Sequence, residues 1–173
     1  MARQLVMELL ELLGRRLDEP VPSRGRKIVE LGRRKLWVPT HRDLAIEEYL
    51  RIRTKTRRTR FELNRAQREY SRLCLQRCSK RNIVLKARQL GITTYIAARF
   101  FVQTIARPGT LSVQVAHDRE SAEEIFRIVR RFRDNLPVEW QKGPLRTSHR
   151  NVRQLVFPLL DSEYTVATAD ENA

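Results

Sequence analysis

The sequence predicts an α/β domain with a partly parallel sheet flanked by helices. Short β-rich runs and amphipathic helical segments alternate in the order β-α-β-α across residues 82–136. Two more short strands are predicted at 155–157 and 164–168. The β-α-β-α order followed by β-β predicts a partly parallel sheet with helices packed on it.

The central elements follow from the spacing of apolar residues. Residues 82–85 form a short apolar run and predict a buried strand, and 95–106, rich in Ala, Ile and Phe, predict a helix. Residues 111–116 alternate and predict a second strand. A second helix is predicted before Pro137, and its apolar face consists of Ala122, Ile125, Val129, Phe132 and Leu136. Residues 138–153 are predicted to form a polar connection.

Upstream of residue 82 the chain divides near residue 40. Residues 1–40 are predicted to contain a leucine-rich amphipathic helix at 3–17, followed by a basic loop or linker at 18–40. Residues 41–173 are assigned to the main domain. It is predicted to begin with a helix from about residue 41 to 50, a basic hairpin, and a helix from 64 to about 80 with Asn64 as its N-cap.

Composition limits the class of protein and its partners. The chain has 173 residues and a formal charge of +15, and no apolar run is long enough for a membrane span. Residues 1–110 hold 26 basic against 10 acidic residues, and residues 111–173 hold 9 against 10. We expect a soluble intracellular protein whose basic part binds a polyanion such as DNA or RNA. The alternatives are a solubilising surface and a basic face that docks an acidic subunit.

Cysteine and histidine show no pattern of metal ligands. Cys74 and Cys78 fall on one face of the helix predicted at 64–80, together with apolar residues, so we interpret them as buried thiols. The three histidines are far apart and are interpreted as structural or surface residues.

Residues 86–94 (KARQLGITT) form a glycine-containing loop between a predicted strand and a predicted helix, which is the context of a phosphate-binding loop. When Gly91 is aligned with the second glycine of the usual pattern, Ile92 takes the place of the lysine and Thr93 that of the Mg²⁺-binding hydroxyl. Nucleotide binding still requires a cation near the phosphates. We expect Lys86 to supply it, and Arg88 is a possible arginine-finger-like residue.

Gln67 lies shortly before this loop, and a glutamine amide can form paired hydrogen bonds with adenine. With this residue in place, four segments together resemble the large subunit of tailed-bacteriophage terminases: 61–67 (FELNRAQ), 86–94, 113–126 (VQVAHDRESAEEIF) and 165–173 (TVATADENA). The similarity covers roughly residues 50–173.

The resemblance implies a helicase-like ASCE P-loop ATPase that drives packaging of viral DNA into procapsids. It implies ATP and Mg²⁺ as cofactors, with Thr93 as a Mg²⁺ ligand. The nucleotide-binding residues that it implies are Gln67, Lys86, Ala87, Arg88, Gln89, Leu90, Gly91, Ile92, Thr93 and Thr94. It also implies double-stranded DNA, the terminase small subunit and the portal as partners, a possible homo-oligomer, no membrane association, and a location in the bacterial host cytoplasm.

The family continues with a Walker B strand and an RNase H-like nuclease. Asp170 and Glu171 fit a Walker B ending superficially, but Thr165 and Thr168 interrupt the apolar strand that should precede them. We therefore expect the domain to be incomplete in this sequence, with only weak nucleotide binding retained and hydrolysis by this chain alone not expected. The alternatives are a helicase-like DNA-dependent ATPase fragment and a non-enzymatic basic nucleic-acid-binding module.

Overall fold

The structure is a computed structural model, and it describes residues 26–31, 34–39, 42–54, 56–77, 81–148 and 153–169. We number the elements in chain order. The strands are β1 (Arg26–Leu31), β2 (Arg34–Pro39), β3 (Arg51–Arg53), β4 (Arg58–Arg60), β5 (Leu111–Ala116), β6 (Gln154–Phe157) and β7 (Ser162–Thr168). The helices are α1 (Arg42–Tyr49), α2 (Arg65–Arg77), α3 (Ile92–Ala106), α4 (Arg119–Asp134) and α5 (Val138–Lys142).

The main sheet has three strands in the order β5-β7-β6. Strand β5 pairs parallel with β7, and β6 pairs antiparallel with β7. The connection from β5 to β7 contains α4, α5 and β6. Helices α3 and α4 pack against β5 and β7. The α/β class and the mixed sheet are thus confirmed, while the P-loop nucleotide-binding fold stays a prediction.

Phenylalanine side chains join the layers of the core. Phe101 of α3 lies with its ring centroid 5.9 Å from that of Phe132 of α4 and 6.3 Å from that of Phe157 of β6. Phe61, which follows the β3–β4 hairpin, stacks on Phe132 at 6.1 Å. All four rings are buried. This cluster fixes the hairpin, the two long helices and the sheet relative to one another.

The predicted buried strand at 82–85 is wrong. The backbone there is irregular, and Ile83 and Leu85 are fully exposed. A buried parallel strand needs backbone hydrogen bonds from a neighbouring strand, and no described strand pairs with this segment. The apolar run alone predicted burial, but burial in a sheet depends on partners that a local pattern does not reveal.

The predicted linker at 18–40 is also wrong for the part that the structure describes. Strands β1 and β2 pair antiparallel, with Ile28 opposite Trp37 and Leu31 opposite Arg34. The glycines and prolines of this region favoured a loop, but they flank two β-rich runs. The helix predicted at 3–17 lies outside the described residues.

Most other predicted elements are confirmed, with shifted ends. The second strand of the basic hairpin is β4, before Phe61, and the connection at 138–153 contains the short helix α5. Cys74 is only half-buried, and Cys78 lies outside the described residues, as do Asp170 and Glu171. Among the helices that the structure describes, none is long and apolar enough to cross a membrane.

One face of β5 carries exposed apolar side chains. Leu111, Val113 and Val115 point away from the helices and are 66%, 45% and 60% exposed. We expect Val113→Lys to lower concentration-dependent self-association, because a charge on an exposed apolar strand opposes edge pairing between molecules. Sedimentation velocity over a range of concentrations measures this. Val138→Lys, at an exposed valine on α5, is the matched control, and equal behaviour of the two variants would contradict the prediction.

Candidate functional site

The glycine-containing loop forms a tight turn directly before α3. Gln89 and Gly91 both have a left-handed backbone, with φ values of 62° and 66°. Glycine adopts this conformation without steric cost, whereas a side chain at Gly91 would be strained. Helix α3 begins at Ile92, and no side chain caps its N-terminus. The backbone N–H groups of a free helix N-terminus favour an anion.

The N-terminus of α2 holds this turn in place. The Asn64 side chain accepts from the Gln67 backbone N–H, and the Gln67 side-chain oxygen accepts from the Asn64 backbone N–H, each at 3.0 Å. This reciprocal pair is a capping box. Gln67 Nε2 also donates to the Gly91 carbonyl at 2.9 Å, and Asn64 Nδ2 donates to the Leu90 carbonyl at 3.1 Å. The two caps of α2 therefore bind the loop that precedes α3.

Gln67 is 4% exposed, and its two polar side-chain atoms already contact the main chain. A primary amide has two N–H donors and an oxygen with two lone pairs. One donor and one lone pair of this amide therefore have no partner among the hydrogen bonds of the described residues, and Gln67 borders the cleft described below. The sequence interpretation assigned adenine recognition to this residue, and the structure adds a positioning role that the spacing Asn-x-x-Gln could have revealed.

Helix α3 is anchored behind the turn by a buried polar group. The Tyr95 hydroxyl donates to Asp43 of α1, and Arg99 donates to the Tyr95 oxygen at 3.1 Å. Burial, together with the charge of Asp43, raises the pKa of Tyr95 well above its usual range. The tyrosine thus stays a neutral donor, and it fixes the first turns of α3 against α1.

A cleft of about 560 Å³ opens beside the turn. This volume falls within the range of small-molecule sites. Its walls come from the β3–β4 hairpin and the residues after it, the N-termini of α2 and α3, and the middle of α4. They consist of Ile52, Arg53, Phe61, Glu62, Asn64, Gln67, Gln89, Gly91, Thr94, Glu124, Arg127, Ile128 and Arg131. The cleft combines apolar walls with donors and positive charges.

The cleft brings together four of the sequence-predicted residues: Gln67, Gln89, Gly91 and Thr94. The other predicted residues do not line it. Among these, Lys86, Ala87, Arg88 and Leu90 are exposed on the segment before the turn, Ile92 is buried, and Thr93 is exposed on the first turn of α3. The cations expected from the loop therefore lie outside the cleft in this structure.

Arginines from two other elements line the cleft instead. Arg53 comes from β3, and Arg127 and Arg131 come from α4. Burial lowers the pKa of Arg131, and the positive charges of Arg53, Arg58 and Arg127 lower it further. These arginines were not predicted as site residues. The sequence pattern that could have indicated them is a stripe on one face of α4, formed at i, i+3, i+4 and i+7 by Glu124, Arg127, Ile128 and Arg131.

Metal-binding side chains do not cluster here. Within the described ranges, no group of three His, Cys, Asp or Glu side chains could hold a metal ion. No family model matches this chain, and no curated protein matches it either.

Proposed function

We propose that this chain is the ATP-binding part of a DNA-packaging motor subunit of the terminase large-subunit class. The observation that supports it is the convergence of Gln67 and the Gly91 turn on one cleft, although they come from separate segments of the sequence. The motifs at 61–67 and 86–94 are separate in the sequence, and two hydrogen bonds join them in the fold.

In the proposed complex, the adenine ring lies against Ile52, Phe61 and Ile128, with the remaining hydrogen-bonding capacity of Gln67 at its edge. The phosphates point to the N-terminus of α3, where backbone N–H groups are free and the helix dipole favours negative charge. Thr93, on the first turn, is the proposed hydroxyl ligand of the Mg²⁺ that accompanies ATP. When bound, Mg²⁺ neutralises phosphate charge.

Lys86 and Arg88 are proposed to approach the phosphates from the exposed segment before the turn. The basic hairpin and the excess of arginine in residues 1–110 support double-stranded DNA as the polymer partner. The small subunit, the portal, the homo-oligomer and the location in the host cytoplasm belong to this proposal through the resemblance alone. The proposal concerns nucleotide binding, and not hydrolysis, by this chain.

Isothermal titration of Mg²⁺-ATP into the chain tests the proposal. We expect saturable binding by the wild type and an affinity several-fold lower for Lys86→Ala, because an exposed charge contributes up to about 1 kcal/mol. Lys142→Ala, a lysine that borders a different cavity, is the matched control and should bind like the wild type.

Absence of binding by the wild type at millimolar ATP would contradict the motor proposal for this chain. Duplex DNA binding without nucleotide binding would instead support the basic nucleic-acid-binding module. A helicase-like ATPase is separated from a packaging motor by the substrate that stimulates it: strand separation favours the helicase, and translocation along an intact duplex favours the motor.

A further inference from the structure

Three arginines, Arg53, Arg127 and Arg131, line one wall of the cleft. Arg58 lies close to them without lining the cleft, and both Arg53 and Arg58 are exposed. Arg53 and Arg58 lie directly opposite each other in the register of the β3–β4 hairpin. Arg127 and Arg131 lie one turn apart on α4, which packs against β3. Like charges directly opposite on paired strands destabilise the pair. This arrangement therefore has an electrostatic cost in the free protein.

Carboxylates compensate little of this charge. Glu124 Oε1 lies 3.9 Å from Arg127 Nη2, and both side chains are mostly exposed. Among the described residues, no carboxylate forms an ion pair with Arg53, Arg58 or Arg131. Burial and the positive charges of Arg53, Arg58 and Arg127 disfavour the charged form of Arg131, and they therefore lower its pKa. A cluster of this charge suits a polyanionic ligand.

The position of the arginine cluster beside the start of α3 indicates the kind of anion that it suits. Arg53 and Arg131 line the same cleft as Gly91 and Thr94 at the start of α3. A ligand in this cleft therefore contacts both the free helix N-terminus and the guanidinium groups. Guanidinium groups bind phosphate oxygens bidentately, and Arg is better suited to this than Lys. A chain of phosphates is long enough to contact both walls.

We propose that Arg53 and Arg131 bind the β- and γ-phosphates of the nucleotide in this cleft. They supply the positive charge that the loop lacks where Ile92 replaces the usual lysine. This inference rests on the proposed function, and it makes the cleft selective for triphosphate over monophosphate. The determinants of that selectivity lie on the hairpin and α4, outside the glycine-containing loop.

Titrations of ATP, ADP, AMP and adenosine into Arg131→Gln test the inference. We expect ATP affinity to fall about tenfold or more, because a charge-assisted contact to phosphate is lost. Adenosine affinity should stay at the wild-type value. Arg130→Gln is the matched control, since Arg130 is the exposed neighbour on α4 that does not line the cleft, and its ATP affinity should be unchanged.

Folding is followed by thermal unfolding of the same variants. Arg131→Gln should be at least as stable as the wild type, because the substitution removes repulsion within the cluster, so a loss of ATP affinity cannot come from unfolding.

Equal ATP affinity in Arg131→Gln and Arg130→Gln would overturn the inference. Binding of adenosine and ATP by the wild type would still leave the proposed function standing. Loss of duplex DNA binding with unchanged ATP binding would also overturn it and would assign the cluster to nucleic acid. Failure of the wild type to bind any of the four ligands would overturn the proposed function and the inference together.

Discussion

Replacement of Gly91 by alanine is expected to lower ATP affinity about tenfold or more while the fold persists. Gly91 has a φ of 66°, where a side chain costs about 1–2 kcal/mol. A Cβ at this position would also lie 2.9 Å from Gln67 Nε2, which is closer than real Cβ contacts allow. Gln67 must then move, and its hydrogen bond to the Gly91 carbonyl is lost or distorted. Titration with Mg²⁺-ATP measures the effect on the site, and thermal unfolding measures the effect on the fold.

Gly109→Ala separates backbone strain from the clash at Gln67. Gly109 also has a left-handed backbone, with a φ of 74°, but a Cβ there would meet nothing within 4 Å. We expect this variant to lose a similar amount of stability from strain and to bind ATP like the wild type. If both glycine variants bound ATP equally well, the hydrogen bond between Gln67 and the Gly91 carbonyl would not contribute to ATP binding.

Replacement of Phe132 by alanine is expected to lower the free energy of unfolding by about 3–5 kcal/mol. Its ring is fully buried and contacts both Phe61 and Phe101, so the substitution leaves a cavity between the hairpin, α3 and α4. A total stability of about 5–15 kcal/mol is typical of a domain, and this loss is a large fraction of it. Urea unfolding followed by far-ultraviolet circular dichroism measures the change.

Phe100→Ala provides the comparison within the same core. Phe100 is only partly buried and packs at the edge of the cluster, so its truncation should cost clearly less than that of Phe132. Equal losses at the two positions would contradict a core centred on the rings of Phe61, Phe101, Phe132 and Phe157.

The long helices were predictable because their information is local. In α4 the apolar residues repeat at helical spacing, and Asp118 caps the N-terminus by accepting from the Ser121 backbone N–H. A partly parallel sheet was predicted, but the pairing of β5 with β7 was not, because α4, α5 and β6 all lie between these strands in the chain. The segment 82–85 shows the limit of such patterns, since an apolar run forms a buried strand only where another strand pairs with it.

The site was predictable in part for the same reason. Gln67 and Gly91 have recognisable local signals, and the structure places both on the cleft. Arg53 and Arg131 were not predicted to line the cleft. The helical stripe of α4 places Arg131 on the same face as Arg127, but no local spacing shows that this face meets β3. Lys86 and Arg88 were expected near the phosphates from the loop pattern alone, and they lie on the exposed segment outside the cleft.

Photolabelling with 8-azido-ATP and peptide mapping tests most directly whether the cleft is the nucleotide site. The reactive azide sits on the adenine ring, so it marks the residues that surround the base. We predict labelling within residues 52–67 or 124–131, suppressed by excess ATP and retained in the Lys142→Ala control. Labelling that ATP does not suppress, or labelling confined to peptides outside the cleft, would contradict the account.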